Sequence, residues 1–380
     1  MEHPAPVVSW ISTTPDLEAL VPKLAALDQI ALDTEGDSLH HYPERLALIQ
    51  IAEPGGVTWF VDPLALPDLS PLAPLFARAS PLLVLHAGDN DLGHLKRLYR
   101  FTFGTVFDTS LAARFIGMRS LGLDVLIRDY LGFELPPSRQ KDDWSARPLS
   151  PSQEQYAAAD VHHLFALKDR LREELTGMGR LQWVEEECAG LVAEPPVDRV
   201  VDPDAYVKLK GARELSTTGL AILHELYELR EQMALAADRP PFKILSEATL
   251  VALATTAPGE VDALAGIVGC TPRVIARWGG TILEAIARGR NAPPAAPAAS
   301  RPRGPSLSNA ARRRIDALRR WRTDAAPRLG LDPGVLLPNR LIRVIAEAEP
   351  RDVAALARVD GVRRWRVEVL GNELVQAIVG

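Results

Sequence analysis

Short apolar runs separated by turn-forming residues dominate the first part of the chain. Three of these runs predict β-strands: residues 29–35 ("QIALDTE"), 45–52 ("RLALIQIA") and 57–63 ("VTWFVDP"). The short connections favour an antiparallel meander. A strand–helix alternation follows, with a strand predicted over 81–88 and a helix over 89–99. This order of elements predicts an α/β domain with a mixed sheet over residues 1–195.

Strand patterns disappear after residue 205, and a gapless internal repeat replaces them. Identical residues recur at a constant offset of 92 positions, as in the pair Arg230 and Arg322. That period is too long for a solenoid unit, so it predicts two tandem copies of one small all-helical domain. We place the copies at 205–290 and 307–380. The Pro- and Ala-rich stretch 291–306 between them predicts an extended, semi-rigid linker.

Composition is that of a globular protein, with 47% apolar and 24% charged residues. No apolar run is long enough to span a membrane and no N-terminal signal pattern is present, so we expect a cytoplasmic protein without membrane contact. Cys188 and Cys270 have no metal-like spacing, which argues against a disulfide framework or a cysteine zinc site.

The formal net charge of −6 is unevenly distributed. It is −12 over residues 1–200 and +7 over residues 291–380, where every cation is Arg. A basic end on an acidic chain predicts a polyanionic partner, and the alternative is an Arg-rich solvated surface. The candidate phosphate contacts cluster at the start of the second repeat: Arg312, Arg313, Arg314, Arg319, Arg320 and Arg322.

The first predicted strand ends in two carboxylates, Asp33 and Glu35, separated only by Thr34. Because strand side chains alternate, both acids face one side of the sheet. Adjacent carboxylates repel and raise each other's pKa unless a cation lies between them. The alternative is a strand end that simply meets solvent, and the pair alone does not exclude it.

A third acid lies in the helix predicted over residues 89–99. Asp91 shares one face of this helix with Leu95 and Leu98, so it points inward along an apolar stripe. Asp89 suits the N-cap position. Both acids also complement the positive end of the helix, which is the alternative explanation for their placement.

A fourth acid, Asp160, lies on a helix predicted over 151–171, opened by a capping box of Ser150 and Gln153. Asp160 sits in an apolar stripe, where a lone charge is costly, and Tyr156 lies one turn before it. A Tyr–Asp hydrogen bond at the rim of the core is the alternative. Acids on three separate elements suit hard cations such as Mg²⁺ or Mn²⁺, and a pair of these ions is the usual machinery for hydrolysis of a phosphodiester.

These motifs together resemble ribonuclease D, a family of 3′–5′ exonucleases with a ribonuclease H-like fold. The family's motifs match "DTE" at 33–35, "HAGDND" at 86–91 and "YAAAD" at 156–160, and its D-W-x-x-R-P-L run matches "DWSARPL" at 143–149. The two repeats resemble HRDC domains, the nucleic-acid-binding modules that follow the nuclease in this family. The resemblance covers nearly the whole chain.

The resemblance implies that four acids hold two divalent ions, Mg²⁺ or Mn²⁺, and that a tyrosine orients or deprotonates the attacking water. Those residues are Asp33, Glu35, Asp91 and Asp160, with Tyr156 as the catalytic tyrosine. It also implies an RNA substrate with a single-stranded 3′ end, tRNA precursors among them, and nucleoside 5′-monophosphate products. The sequence leaves protein partners unknown.

Three further residues are candidates for substrate binding. Trp144 is either a packing residue under the site or a stacking platform for a base, and Arg147 either contacts a phosphate or pairs with an acid. His86 is a hydrogen-bonding group at a strand end. The chain departs from the family after Glu35, where Gly36 replaces a bulky apolar residue and "HH" follows at 40–41.

Two alternative functions share these features. The first is a single-stranded DNA 3′–5′ exonuclease of the proofreading or helicase-associated kind, because the catalytic acids do not distinguish RNA from DNA. The second is a non-catalytic scaffold that binds nucleic acid through a relic nuclease fold. The tandem helical modules favour RNA, and the complete acid set argues against a relic.

Overall fold

The computed structural model describes residues 7–197, 202–293 and 307–379, so most of the predicted linker lies outside the described residues. The described chain divides into two compact units. The first unit contains the described parts of 1–35, 46–198 and 307–380, and the second contains those of 36–45 and 199–306. No described helix is both long and apolar enough to cross a membrane. The predicted domain boundaries remain a prediction.

A six-stranded mixed sheet organises the first unit. Its strands, in chain order, are β1 (Val7–Ile11), β2 (Gln29–Gly36), β3 (Leu46–Ala52), β4 (Val57–Val61), β5 (Leu82–Leu85) and β6 (Val106–Asp108). Their order in the sheet is β1-β4-β3-β2-β5-β6. β3 and β4 are antiparallel, whereas the pairs β1–β4, β2–β5 and β5–β6 are parallel. The predicted mixed-sheet α/β fold is confirmed, with β1 as an edge strand that sequence reasoning missed.

Eight helices of the nuclease part surround this sheet: α1 (Thr14–Ala25), α2 (Ala73–Phe76), α3 (Asp89–Tyr99), α4 (Thr109–Ile116), α5 (Leu123–Leu131), α6 (Pro151–His162), α7 (Leu164–Gly177) and α8 (Leu181–Ala193). The capping box of Ser150 and Gln153 begins α6 as predicted. The single helix predicted over 151–171 was wrong, since the helix is interrupted at His163, between α6 and α7. Residues 156–158 of α6 belong to one apolar cluster and Leu167 and Leu171 of α7 to another, while Val161 and Leu164 share a third.

Two details of α3 also differ from prediction. The helix begins at Asp89 and Gly88 occupies the N-cap, so Asp89 is not the cap. Leu95 is buried as expected, but Leu98 is 43% exposed and lies outside the apolar stripe.

The second helical repeat belongs to the same unit as the nuclease. It comprises α13 (Asn309–Leu329), α14 (Pro333–Leu336), α15 (Asn339–Ala348), α16 (Val353–Leu356) and α17 (Arg364–Val379). Trp365 stacks on Trp183 of α8 with ring centroids 4.8 Å apart, and it contacts Phe115 edge-on at 5.4 Å. The buried Arg366 pairs with Glu187 of α8. One continuous apolar core therefore joins this repeat to the nuclease.

The second unit is all-helical apart from the segment 36–45. Its α-helices are α9 (Thr217–Ala237), α10 (Pro241–Ile244), α11 (Glu247–Thr256) and α12 (Pro272–Asn291), and its 3₁₀ turns are Ala205–Lys208, Ala212–Glu214 and Asp262–Gly266. The segment 36–45 is attached to α9: the Tyr42 hydroxyl donates to Glu231 at 2.6 Å, and Asp238 contacts His41 Nδ1 at 2.7 Å. The predicted departure from the family therefore falls on a segment that packs with the first helical repeat.

Candidate active site

Three elements of the first unit bring the predicted acids to one edge of the sheet. β2 and β5 are parallel neighbours, so their carboxyl ends meet there. Continuing their register places Asp33 beside His86, and α3 starts just beyond it. The helix α6 then supplies Tyr156 and Asp160, four residues apart on one face.

The carboxylates of Asp33, Glu35 and Asp160 converge, each with an oxygen within 4.8 Å of the others. Asp91 lines the same cavity but turns toward Thr34, whose hydroxyl donates to its carboxylate. Three predicted acids are thus in position to share one ligand, and the fourth is held beside them by a hydrogen bond.

Burial raises the pKa of every acid in this group. The pKa of Asp33 lies well above its ordinary value because of burial and the charges of Asp91 and Asp160. Burial and the same two neighbours raise the pKa of Glu35 to about 9. Burial also raises the pKa of Asp91 to about 6 and that of Asp160 to about 7.

The charges that act most strongly on these four acids are those of other carboxylates. Repelling carboxylates in a half-buried pocket require a cation to be ionised together. Carboxylate oxygens are the ligands that Mg²⁺ and Mn²⁺ prefer. The residues present therefore fit divalent metal ions.

Tyr156 is 7% exposed, and its hydroxyl hydrogen-bonds to Asp160 and Ser138. Burial and the charge of Asp160 raise the pKa of Tyr156 far above its ordinary value. The phenol therefore keeps its proton at neutral pH without metal ions, which suits a group that orients a water molecule.

The acids line a cavity of about 830 Å³, here called the acidic cavity. Its lining also includes the apolar residues Leu121, Leu123, Leu135, Pro136, Pro137 and Leu164. Asn90, Ser138 and Gln140 add neutral polar groups. Such a lining suits a sugar and base held beside a charged phosphate.

The three secondary candidates occupy different environments. Trp144 is completely buried beside Tyr156, which matches its packing alternative. Arg147 forms a two-pronged ion pair with Asp62, with nitrogen–oxygen distances of 2.7 and 2.8 Å, which matches its structural alternative. His86 lines the acidic cavity, its Nδ1 is 2.9 Å from the Thr109 hydroxyl, and burial lowers its pKa.

Sequence reasoning missed Asp108, which holds the site in shape. Its buried carboxylate accepts hydrogen bonds from the backbone N–H groups of Ala87 and Gly88 at 3.2 and 2.8 Å. It also caps α4 through the N–H groups of Ser110 and Leu111. Asp108 thereby ties the turn that leads to Asp91 to the start of α4. An N-cap-type residue directly before α4 was the available signal in the sequence.

Of the six arginines predicted to contact RNA, three have partners within their own repeat. Arg314 donates to the carbonyl of Ala346 and Arg322 to that of Leu337, and Arg319 lies 3.7 Å from Asp316 in an ion pair. Four of the six are exposed: Arg312, Arg313, Arg319 and Arg320.

Comparison with known proteins agrees with this geometry. The family profile described as "3'-5' exonuclease" matches residues 8–176, and that of the HRDC domain matches residues 219–286 and 311–378. Ribonuclease D of Pseudomonas paraeruginosa is 32% identical over 352 residues, 90% of each chain. Ribonuclease D of Acidiphilium cryptum is 32% identical over 382 residues, covering 98% of this chain and 93% of that relative. The crystal structure of Escherichia coli RNase D, described as an exoribonuclease involved in structured RNA processing, covers 98% of both chains with a TM-score of 0.68 and 26% identity.

The fold, the convergent acids and the two family matches together define a divalent-metal-dependent 3′–5′ exonuclease that carries two HRDC domains. The chain belongs to the ribonuclease D family. It is a 3′–5′ exoribonuclease, and its substrate is RNA. The predicted family, fold class and enzyme class are confirmed, while the roles of the individual site residues remain predictions.

Proposed function

We propose that this enzyme removes 3′-terminal nucleotides one at a time from RNA with a single-stranded 3′ end, including tRNA precursors, and releases nucleoside 5′-monophosphates. The convergence of Asp33, Glu35 and Asp160 within 4.8 Å, inside a cavity open to substrate, carries this proposal. The structured-RNA role printed for the E. coli relative supports the choice of substrate. Two buried free cysteines support a reducing compartment, the cytoplasm, as its location.

The four acids would hold two Mg²⁺ or Mn²⁺ ions, which activate water and stabilise the charge that develops on the leaving 3′ oxygen. The Thr34 hydroxyl fixes the Asp91 carboxylate in the acidic cavity by its hydrogen bond. Tyr156, which hydrogen-bonds to Asp160, would position the attacking water. The apolar lining of the acidic cavity holds the terminal nucleoside, and Asp108 keeps the turn before Asp91 in place.

A 5′-labelled tRNA precursor with a 3′ trailer, and a single-stranded DNA of matched sequence, test the proposal. With Mg²⁺ or Mn²⁺ we expect stepwise shortening of the RNA from its 3′ end, and with chelator no shortening. Asp33→Asn should reduce the rate by more than about 100-fold, since even outer-shell partners of metal ligands contribute about 10–100-fold.

The matched control is Asp89→Asn, because Asp89 is an exposed acid near Asp91 that does not line the acidic cavity. It should retain wild-type activity. An active Asp33→Asn protein would contradict the site assignment, and preferential shortening of the DNA would favour the DNA exonuclease instead.

A further inference from the structure

The helix α4 carries a cation into the lining of the acidic cavity. Ser110 and Arg114 are four residues apart, on one face of α4, and both line the cavity. Asp108 fixes the start of this helix through two N-cap hydrogen bonds of 2.8 and 2.9 Å. Arg114 is therefore presented from a rigid element, while its own side chain is exposed.

Arg114 is the only Lys or Arg among the described residues that line the acidic cavity. Five carboxylates line it as well: Asp33, Glu35, Asp91, Asp124 and Asp160. Apart from metal ions, the permanently charged cation available to an anionic substrate among these lining residues is therefore Arg114.

Arg114 forms no ion pair or side-chain hydrogen bond with any described residue. In contrast, Arg147 is committed to Asp62. No nitrogen of Arg114 lies within 4 Å of a carboxylate that lines the cavity, so its guanidinium is available to a substrate phosphate. Because the metal ions would neutralise the scissile phosphate, the phosphate left for Arg114 is a neighbouring one.

We infer that Arg114 binds a non-scissile phosphate of single-stranded RNA and thereby positions the 3′ end over the acids. This inference rests on the proposed function. The planar guanidinium matches phosphate oxygens in a bidentate arrangement, and a backbone contact of this kind carries no sequence preference. Arg114 is a positioning residue, and the acids remain responsible for hydrolysis.

A chain-length series tests the inference. A dinucleoside monophosphate contains only the scissile phosphate, whereas a hexanucleotide contains non-scissile ones. Arg114→Gln should raise KM for the hexanucleotide by about 10–100-fold, the loss of one hydrogen-bonded charge contact. Its kcat/KM for the dinucleotide should stay within about threefold of wild type. Arg114→Lys should recover part of the loss, because lysine keeps the positive charge but lacks the planar, two-pronged donor geometry of the guanidinium.

The salt dependence gives a second readout. Each phosphate contact to a single strand contributes about 0.7 to the slope of log K against log salt. Arg114→Gln should lower the slope for hexanucleotide binding by that amount. The matched control is Arg78→Gln, since Arg78 is exposed and precedes β5, at the end of that strand opposite His86. The control should leave both KM and slope unchanged.

Equal losses on the dinucleotide and the hexanucleotide would overturn the inference, as would an unchanged KM for the hexanucleotide. A different result would contradict the proposed function. A wild-type protein that shortens neither substrate with Mg²⁺ or Mn²⁺ would remove that function and this inference together. An active wild type with a silent Arg114→Gln variant removes only the inference.

Discussion

Neutralising one acid of the candidate metal site should make the metal-free protein more stable. Glu35 is partly buried and repelled by Asp160 and Asp91, and its pKa is raised to about 9 from an ordinary 4.5. At neutral pH the unfolded chain ionises this group freely, whereas the metal-free folded state resists its ionisation. Glu35→Gln keeps the size of the side chain and removes that conflict.

The size of the effect follows from the two pKa values of Glu35. At pH 7 the ordinary value of 4.5 lies 2.5 units below the ambient pH, while the folded value of about 9 lies above it. At about 1.4 kcal/mol per unit, the upper limit is about 3 kcal/mol. Water entry and side-chain relaxation reduce this limit, so we expect a gain of about 1–3 kcal/mol.

The sign of the pH dependence is definite. Between pH 4.5 and about 9 the folded state binds more protons at Glu35 than the unfolded state, so the stability of the wild type falls as pH rises. The advantage of Glu35→Gln should therefore shrink to less than about 1 kcal/mol at pH 5 and grow toward pH 8.

Thermal unfolding in chelator, at pH 5 and pH 8, measures this advantage. A gain of 1 kcal/mol corresponds to a Tm increase of about 2–4 °C at this domain size. Added Mg²⁺ or Mn²⁺ should stabilise the wild type more than Glu35→Gln, reversing the order, because ligand binding stabilises the folded state. Asp89→Asn serves as the control and should shift stability by less than about 0.5 kcal/mol. An Asp89→Asn protein that gained as much as Glu35→Gln, or a gain independent of pH, would refute the reasoning.

Two further changes test the frame around the site. Trp365→Ala should destabilise the first unit by about 3–5 kcal/mol, because it removes the ring that stacks on Trp183 and leaves a cavity. Chemical unfolding measures this loss. The control is Val369→Ala, which changes an exposed residue and should have little effect. Burial acts to raise the pKa of Asp62, but Arg147 holds that pKa below its ordinary value. Asp62→Asn should therefore lower the free energy of unfolding by about 1–3 kcal/mol at pH 7. That difference should vanish as pH falls through the pKa of folded Asp62, and a loss that persists in acid would contradict the ion pair.

The features that follow from local rules were predictable from the sequence. Strand alternation put Asp33 and Glu35 on one side, and helical spacing put Tyr156 and Asp160 on one face. The interruption of the helix at His163 was not predictable, because no Gly or Pro marks it.

Other features depend on contacts between distant parts of the chain. The Thr34–Asp91 hydrogen bond joins residues 57 positions apart. Arg114 enters the site only because β6 places α4 beside β5. Alternation and spacing carry no information about such pairings, so hydroxyl and guanidinium groups near a site are identified only once the sheet order is known.

The repeat relation explains why the second helical copy joins the nuclease. Trp365 and Arg366 correspond, at the constant offset of 92 residues, to Arg273 and Val274 of the first copy. Arg273 is exposed in its own domain, whereas Trp365 is 1% exposed and stacks on Trp183. The shared repeat core therefore specifies the helical fold, and one changed surface position supplies a large apolar side chain that requires a partner.

This docking has a consequence for the basic end of the chain. The exposed arginines of α13, Arg312, Arg313 and Arg320 among them, stand on a domain that shares its core with the sheet bearing the acids. Their positions relative to the acidic cavity are therefore set by packing. A polyanion that contacts both would therefore have to span a fixed distance.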